Sequence, residues 1–252
     1  MSRGVLVTGA SRGIGRAVAV AFAELGDRVA VHYGSRSADA EATLAALSGS
    51  GHLLISGDLA DPAATEDIAG AAWRGLGGVD VLVNNAAVAT TADGHGVPGV
   101  SYVDWQAAWE RTLRVNLLGA ANLTYLVTRR MIERGTGGRV VNIGSRGAYR
   151  GEPDHPAYGA SKAALHALGQ SLAVSLAPYG IAVASVAPGF TETERVSGRL
   201  SGESGAGLRS QSPFGRVGTP AEVAAAVVYL ASGPAEWASG AVLDLNGASH
   251  LR

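Results

Sequence analysis

Short apolar runs rich in β-branched residues alternate along the chain with longer, alanine-rich stretches of helical periodicity. The apolar runs predict strands at residues 5–8, 28–33, 52–57, 79–85, 139–145, 181–189 and 241–247. The stretches between them predict helices at residues 13–25, 38–47, 62–75, 102–134, 157–177 and 220–232. The strand runs are continuously apolar rather than alternating, as expected of strands covered by helices on both faces. Right-handed crossovers then predict an α/β fold, a doubly wound parallel sheet of about seven strands with helices on both sides. No linker, repeat or low-complexity tract interrupts the pattern, so residues 1–252 are expected to form one domain. Residues 89–101 and 191–213 fit no regular element, and long loops of that kind often serve binding.

One helix breaks its own pattern. Leu165, Leu168, Leu172 and Leu176 form a core-facing stripe, and the same stripe carried backwards meets Lys162 and Tyr158. Lysine is almost never buried without a partner, so its place on that face implies a polar cleft. Tyrosine and lysine four residues apart share a helix face. A phenol of reference pKa about 10 is more readily ionised beside an ammonium. Such a group can give a proton to a carbonyl oxygen or take one from an alcohol. Ser145 closes the fifth predicted strand, and in a doubly wound sheet ligands bind at the carboxyl ends of strands. Asn116 interrupts a helical pattern where asparagine is a poor helix former.

The first strand runs into Gly9, Gly13 and Gly15, spaced G-x3-G-x-G, and then into a helix. Such glycines permit a tight turn and a close approach of backbone to a pyrophosphate, which the helix N-terminus attracts. No Lys-Ser or Lys-Thr follows the last glycine, which argues against a nucleotide triphosphatase loop. An NAD site usually places a carboxylate at the end of the second strand, yet Tyr33 is followed by Gly34, Ser35 and Arg36, with no acid before Asp39. Ser35, Arg36 and Arg12 are suited to a 2′-phosphate, so NADP(H) is expected over NAD(H).

Composition excludes more than it selects. The 252 residues carry a net charge of −1, with no basic excess for nucleic acid or an anionic membrane. There is no cysteine, hence no disulfide, thiolate nucleophile or Cys-ligated metal, and no metal site is expected. No run reaches the ~18 apolar residues of a membrane helix. The opening apolar run is too short for a signal peptide, so a cytoplasmic location is expected.

Together these motifs resemble the short-chain dehydrogenase/reductase family, with its Rossmann-type fold. Residues 8–15 (TGASRGIG) match its cofactor loop, which includes Ser11 and Ile14. Asp58 and Leu59, in GDLAD, match the acidic stretch that contacts the adenine, and Asn84 to Ala87 (NNAA) match its N-N-A-G motif. Asn116, Ser145, Tyr158 and Lys162 match its catalytic tetrad. Residues 187–193 (APGFTET), with Pro188, Gly189, Thr191 and Thr193, match the segment bordering the nicotinamide. The match spans nearly the whole chain. The resemblance implies Tyr158 as general acid/base and Lys162 as the group that tunes it and holds the nicotinamide ribose. It implies Ser145 as a hydrogen-bond partner of the substrate oxygen, Asn116 as the support of a water that links Lys162 to solvent, and a homotetramer as the assembly.

Two departures stand out. Ala87 replaces the usual glycine, and the segment from Asn84 to Asn116 is about half a dozen residues longer than usual, the excess falling in residues 91–105. The resemblance is greatest to 3-oxoacyl-acyl-carrier-protein reductases, and Arg129, Arg130 and Arg134 are candidates for contact with an acidic carrier. Glu152, Asp154 and His155 precede Tyr158 and disfavour an anionic carrier at close range. The expected substrate is a small-molecule ketone or alcohol or an acyl thioester. NAD-dependent alcohol or sugar dehydrogenation and a non-catalytic dinucleotide-binding regulator are the alternatives.

Overall fold

The computed structural model describes residues 2–88, 94–194 and 202–252. Residues 89–93 and 195–201, parts of the two segments expected to be irregular, lie outside the described residues. The strands are β1 (Gly4–Val7), β2 (Arg28–Tyr33), β3 (Leu53–Ser56), β4 (Val81–Asn84), β5 (Gly138–Ile143), β6 (Ile181–Pro188) and β7 (Val242–Leu245). They form one parallel sheet in the order β3-β2-β1-β4-β5-β6-β7, the Rossmann-type fold expected. The strand order reverses between β1 and β4, which opens a crevice at their carboxyl ends.

Each strand sends alternate side chains to opposite layers. Val5, Val7, Val29 and Val31 join a core with α1 (Gly13–Glu24) and α9 (Pro220–Leu230), where Val18, Phe22, Val223 and Val227 are buried. Leu6, Ala30, Leu82 and Val140 face a second core with α3 (Pro62–Leu76), α5 (Ala120–Arg134) and α7 (Pro156–Leu176). Burial of both sheet faces explains the continuous apolar runs. A capping box at Thr219 and Glu222, with Pro220 in the first turn, starts α9 where the sequence predicts it.

The helix predicted over residues 102–134 is not continuous. It divides into α4 (Tyr102–Leu113), a π-helical turn (Arg114–Gly119) and α5. The widened turn directs Asn116 inward, where its amide bonds to other elements, and packs Gly119 so closely that a Cβ there would lie 2.5 Å from Leu59 O. The helix predicted over residues 38–47 is α2 (Ser37–Ala45). Among the described residues, two α-helices are not predicted by the pattern: α6 (Gly147–Arg150), which begins two residues past Ser145, and α8 (Gly202–Arg209), inside the span expected to be irregular.

Candidate active site

The loop between β1 and α1 is clamped from β4. Thr8 Oγ1 accepts hydrogen bonds from the N–H groups of Asn85 (2.9 Å) and Ala86 (3.0 Å) and donates to Val83 O. Asn85 Nδ2 donates back to Thr8 O (2.8 Å) and Gly9 O (3.0 Å). Gly9 and Gly13 have φ of +61° and +56°, which favour glycine. A Cβ on Gly15 would lie 2.4 Å from Gly9 O. Backbone conformation and close packing thus demand glycine here. The first turn of α1 contains no acidic residue, and Arg12 at its N-cap position makes no side-chain cap. Ser11 is buried, and Ile14 packs against the α1–α9 core.

Two further side chains support this loop. His32, inside β2, is 2% exposed. Its Nδ1 accepts from Gly9 N–H (3.2 Å), and its Nε2 lies 3.1 Å from Gly57 O. A neutral ring with the proton on Nε2 satisfies both contacts. Burial pushes the His32 pKa down to about 4, against smaller opposing effects from Gly57 and Asp58. Arg16 is the other support, donating to Ser11 O, Asp39 O and Thr43 Oγ1. A polar residue in the apolar run RVAVHY was the visible signal for His32; nothing in sequence pointed to Arg16.

At the end of β2, Tyr33 packs against the α1–α9 core, and Ser35 and Arg36 are exposed. Asp39, the first acid after the strand, lies 3.4 Å from Arg36 Nη1. Beyond β3, Asp58 accepts from Ala60 N–H and pairs with Arg111 of α4 at 3.0 Å. The Ala60 N–H, and then Arg111, hold its carboxyl below the ordinary range against the cost of partial burial. Leu59 is buried beside it, and Ala86 and Ala87 are half-buried in the chain that follows β4.

The four residues of the expected tetrad come from three places: the π-helical turn (Asn116), the chain after β5 (Ser145) and α7 (Tyr158 and Lys162). Asn116 Oδ1 accepts from Val88 N–H (2.9 Å), while its Nδ2 donates to Val88 O and to Ser161 Oγ (both 3.1 Å). Ser161 in turn donates to Tyr158 O (2.8 Å). Ser145 lies two residues past β5, and its Oγ accepts from Gly147 N–H (3.0 Å). Gly147 packs on the first turns of α7, where a Cβ on Gly159 would lie 3.3 Å from Gly147 O. Lys162 is 2% exposed. Its ammonium donates to Ile143 O (2.7 Å), the last residue of β5, and lies 5.7 Å from the Tyr158 ring centroid. The stripe of α7 therefore carries a buried cation to the strand end at which Ser145 emerges.

The opposite wall is built from β6 and its continuation. Pro188 O accepts from Arg146 N–H (3.0 Å), and Gly189 N–H donates to Leu245 O (2.9 Å). Thr191 pairs with Gly218, and Thr193 reaches back to the glycine loop, 3.2 Å from a Cβ built on Gly13. A cavity of about 290 Å³ opens behind this wall, lined by Arg146, Phe190, Leu208, Gln211, Ser212 and Asn246 among others. The arginines considered for an acidic carrier already have partners. Arg129 pairs with Glu133, Arg134 pairs with Asp80, and Arg130 and Arg134 lie over Trp73.

A family described as enoyl-(acyl carrier protein) reductase matches residues 9–250. An L-rhamnose 1-dehydrogenase (NAD(P)(+)) of Sphingomonas sp. is 35% identical, covering 98% of this chain and 96% of its own. The 3-oxoacyl-acyl-carrier-protein reductase FabG of Escherichia coli is 36% identical over the same shares of both chains. A galactitol 2-dehydrogenase of Agrobacterium fabrum is 33% identical, again covering 98% and 96%.

Proposed function

The chain belongs to the short-chain dehydrogenase/reductase family, whose members are oxidoreductases acting on CH–OH and C=O groups, and on that premise we propose that this protein reduces a ketone to a secondary alcohol with NADPH. The observation that carries the reading is the buried Lys162 ammonium beside the Tyr158 ring. Burying an ammonium is costly, and the Ile143 carbonyl is among the groups that offset that cost. Its position has a chemical return, because a cation there favours the phenolate of Tyr158.

An α1 N-terminus free of acids, behind two positive-φ glycines, suits a pyrophosphate. Asn85, Ala86 and Ala87 on one side and Pro188, Gly189, Thr191 and Thr193 on the other would hold the rest of the dinucleotide. When bound, the nicotinamide supplies the hydride. Tyr158 gives its phenolic proton to the carbonyl oxygen as the carbon is reduced, and Ser145 holds that oxygen by a hydrogen bond. Lys162 steadies the phenolate left behind. Asn116 and Ser161 keep the backbone at Val88 and Tyr158 in register. Arg12, Ser35 and Arg36 would meet a 2′-phosphate, and the absence of a strand-end acid on β2 supports NADPH over NADH.

The opposite direction stands level on one count. Two of the compared relatives are named as dehydrogenases of a sugar and a polyol, so oxidation of a polyhydroxylated substrate is the second reading. Engagement of Arg129 and Arg134 by neighbouring acids weakens the acyl-carrier case. Exposed Leu118, Tyr125 and Val174 on the π-helical turn, α5 and α7 support assembly into a homotetramer through that face. The test is titration with NADPH and NADH by fluorescence, followed by absorbance at 340 nm with ketones, an acetoacetyl thioester and free sugars. NADPH consumption with a ketone supports the proposal. Turnover confined to sugars and NAD+ replaces it with the second reading.

A further inference from the structure

The longer segment between Asn84 and Asn116 delivers one side chain to the helix that carries Tyr158. His95 is 2% exposed, although it belongs to a loop. Its backbone N–H donates to Asp154 O (2.8 Å). Its ring packs at 6.0 Å from Trp105 of α4 and 5.8 Å from His155. From that slot His95 Nε2 accepts the N–H of Ala157 at 3.0 Å.

That contact completes the first turn of α7. The N-cap residue, His155, makes no side-chain cap, and Pro156 in the first turn has no N–H. Tyr158 N–H and Gly159 N–H both donate to His155 O, at 3.0 and 3.1 Å. Ala157 N–H is the remaining donor of the turn, and a buried donor without an acceptor costs about 1–3 kcal/mol. His95 fills the place that a Ser or Asp N-cap takes in other helices. We infer that His95 is a positioning residue for Tyr158: its unprotonated Nε2 holds the first turn of α7 and with it the direction of the phenol.

This inference rests on the proposed role of Tyr158 as acid/base, but the cap itself does not. An imidazolium has no acceptor nitrogen, so the cap exists only while His95 is neutral. Burial, and then the nearby charge of His155, push the His95 pKa below its ordinary value and extend the range of the cap towards acid. Among the described residues, the titratable groups facing it are His155 and Asp154 on the segment leading into α7, and α4 presents the neutral Trp105.

The test compares wild type with His95→Ala and His95→Gln, whose amide oxygen reaches the position of Nε2. Turnover by 340 nm absorbance across pH and exchange of the Ala157 amide by NMR are both read. His95→Ala is expected to lose at least about tenfold in kcat with KM for NADPH within about twofold, the pattern of a displaced catalytic group. His95→Gln is expected to recover the rate and to lack the acid limb of the wild-type profile. Equal impairment of Gln and Ala, or wild-type kcat in Ala, overturns the inference. If His95→Ala does not fold, the pH profile of His95→Gln decides, and an acid limb identical to wild type counts against it. If wild type turns over no substrate, the functional proposal fails. Amide exchange then decides the cap alone: lower protection of the Ala157 amide, relative to its intrinsic exchange rate, in His95→Ala or in wild type at acid pH, with protection kept in His95→Gln, sustains it, while unchanged protection throughout removes it.

Discussion

The two walls of the crevice are held in different ways. On the glycine-loop side, two short side chains pin neighbouring backbone segments together: Thr8 Oγ1 and Asn85 Nδ2 bond to main-chain groups within 3.2 Å, and a Cβ on Gly15 would collide with Gly9 O. On the Tyr158 side, single side chains span gaps between elements. Asn116 joins a π-helical turn to Val88 and Ser161, Lys162 joins α7 to the end of β5, and His95 joins a long loop to the start of α7. The first wall suits a ligand common to a whole family. The second can be retuned one residue at a time.

The harshest way to break the second wall is to remove its buried charge. Lys162→Met is expected to lower kcat by about 10²–10⁴-fold, the usual worth of a tuned acid/base, with thermal melting checking that the fold survives. In the alcohol-oxidising direction part of the loss should return at high pH, as an untuned phenol of pKa about 10 ionises unaided. A pH-independent loss would mean that Lys162 serves binding alone.

The first wall has its own weak point in His32. Its folded pKa of about 4 lies below the ordinary 6.5, so the neutral ring stabilises the fold fully above that ordinary value. The contribution is lost as pH falls from 6.5 through about 4, and amounts to about 3 kcal/mol. Urea unfolding between neutral pH and pH 4 should show this loss in wild type and less of it in His32→Gln. An equal loss in both would place the acid sensitivity elsewhere, with His166, whose pKa is also lowered to about 4 by burial, as the next group to replace.

The smallest expected effect separates the two dinucleotides rather than the two walls. The double variant Arg12→Ala and Arg36→Ala is expected to weaken NADPH about ten- to a hundredfold and NADH within about twofold, from the loss of charge-assisted hydrogen bonds. Calorimetric titration of both reads it. Equal weakening would remove the 2′-phosphate assignment.

The same contrast explains what the sequence showed. Parallel strands buried on both faces write continuous apolar runs, so the order of elements was legible from β1 to β7. Glycines that a loop cannot replace stand at short fixed spacing, and Tyr158 and Lys162 interrupt an otherwise apolar stripe. The break at residues 114–119 was not legible, because α4 and α5 continue one helical periodicity and the widening answers to Val88 and Ser161, 28 and 45 residues from Asn116. Arg111 on Asp58, Arg16 on Thr43 and His95 on Ala157 are likewise long-range pairings of common residues, 53, 27 and 62 positions apart. No local pattern announces them.

The central claim is that Tyr158 moves the proton while the rest of the site binds. It is tested most directly by Tyr158→Phe, with NADPH affinity measured by fluorescence and turnover by 340 nm absorbance on the same preparation. Loss of turnover by about 10²–10⁴-fold with NADPH affinity within about twofold of wild type is the expected result. Turnover retained in the phenylalanine variant would contradict it.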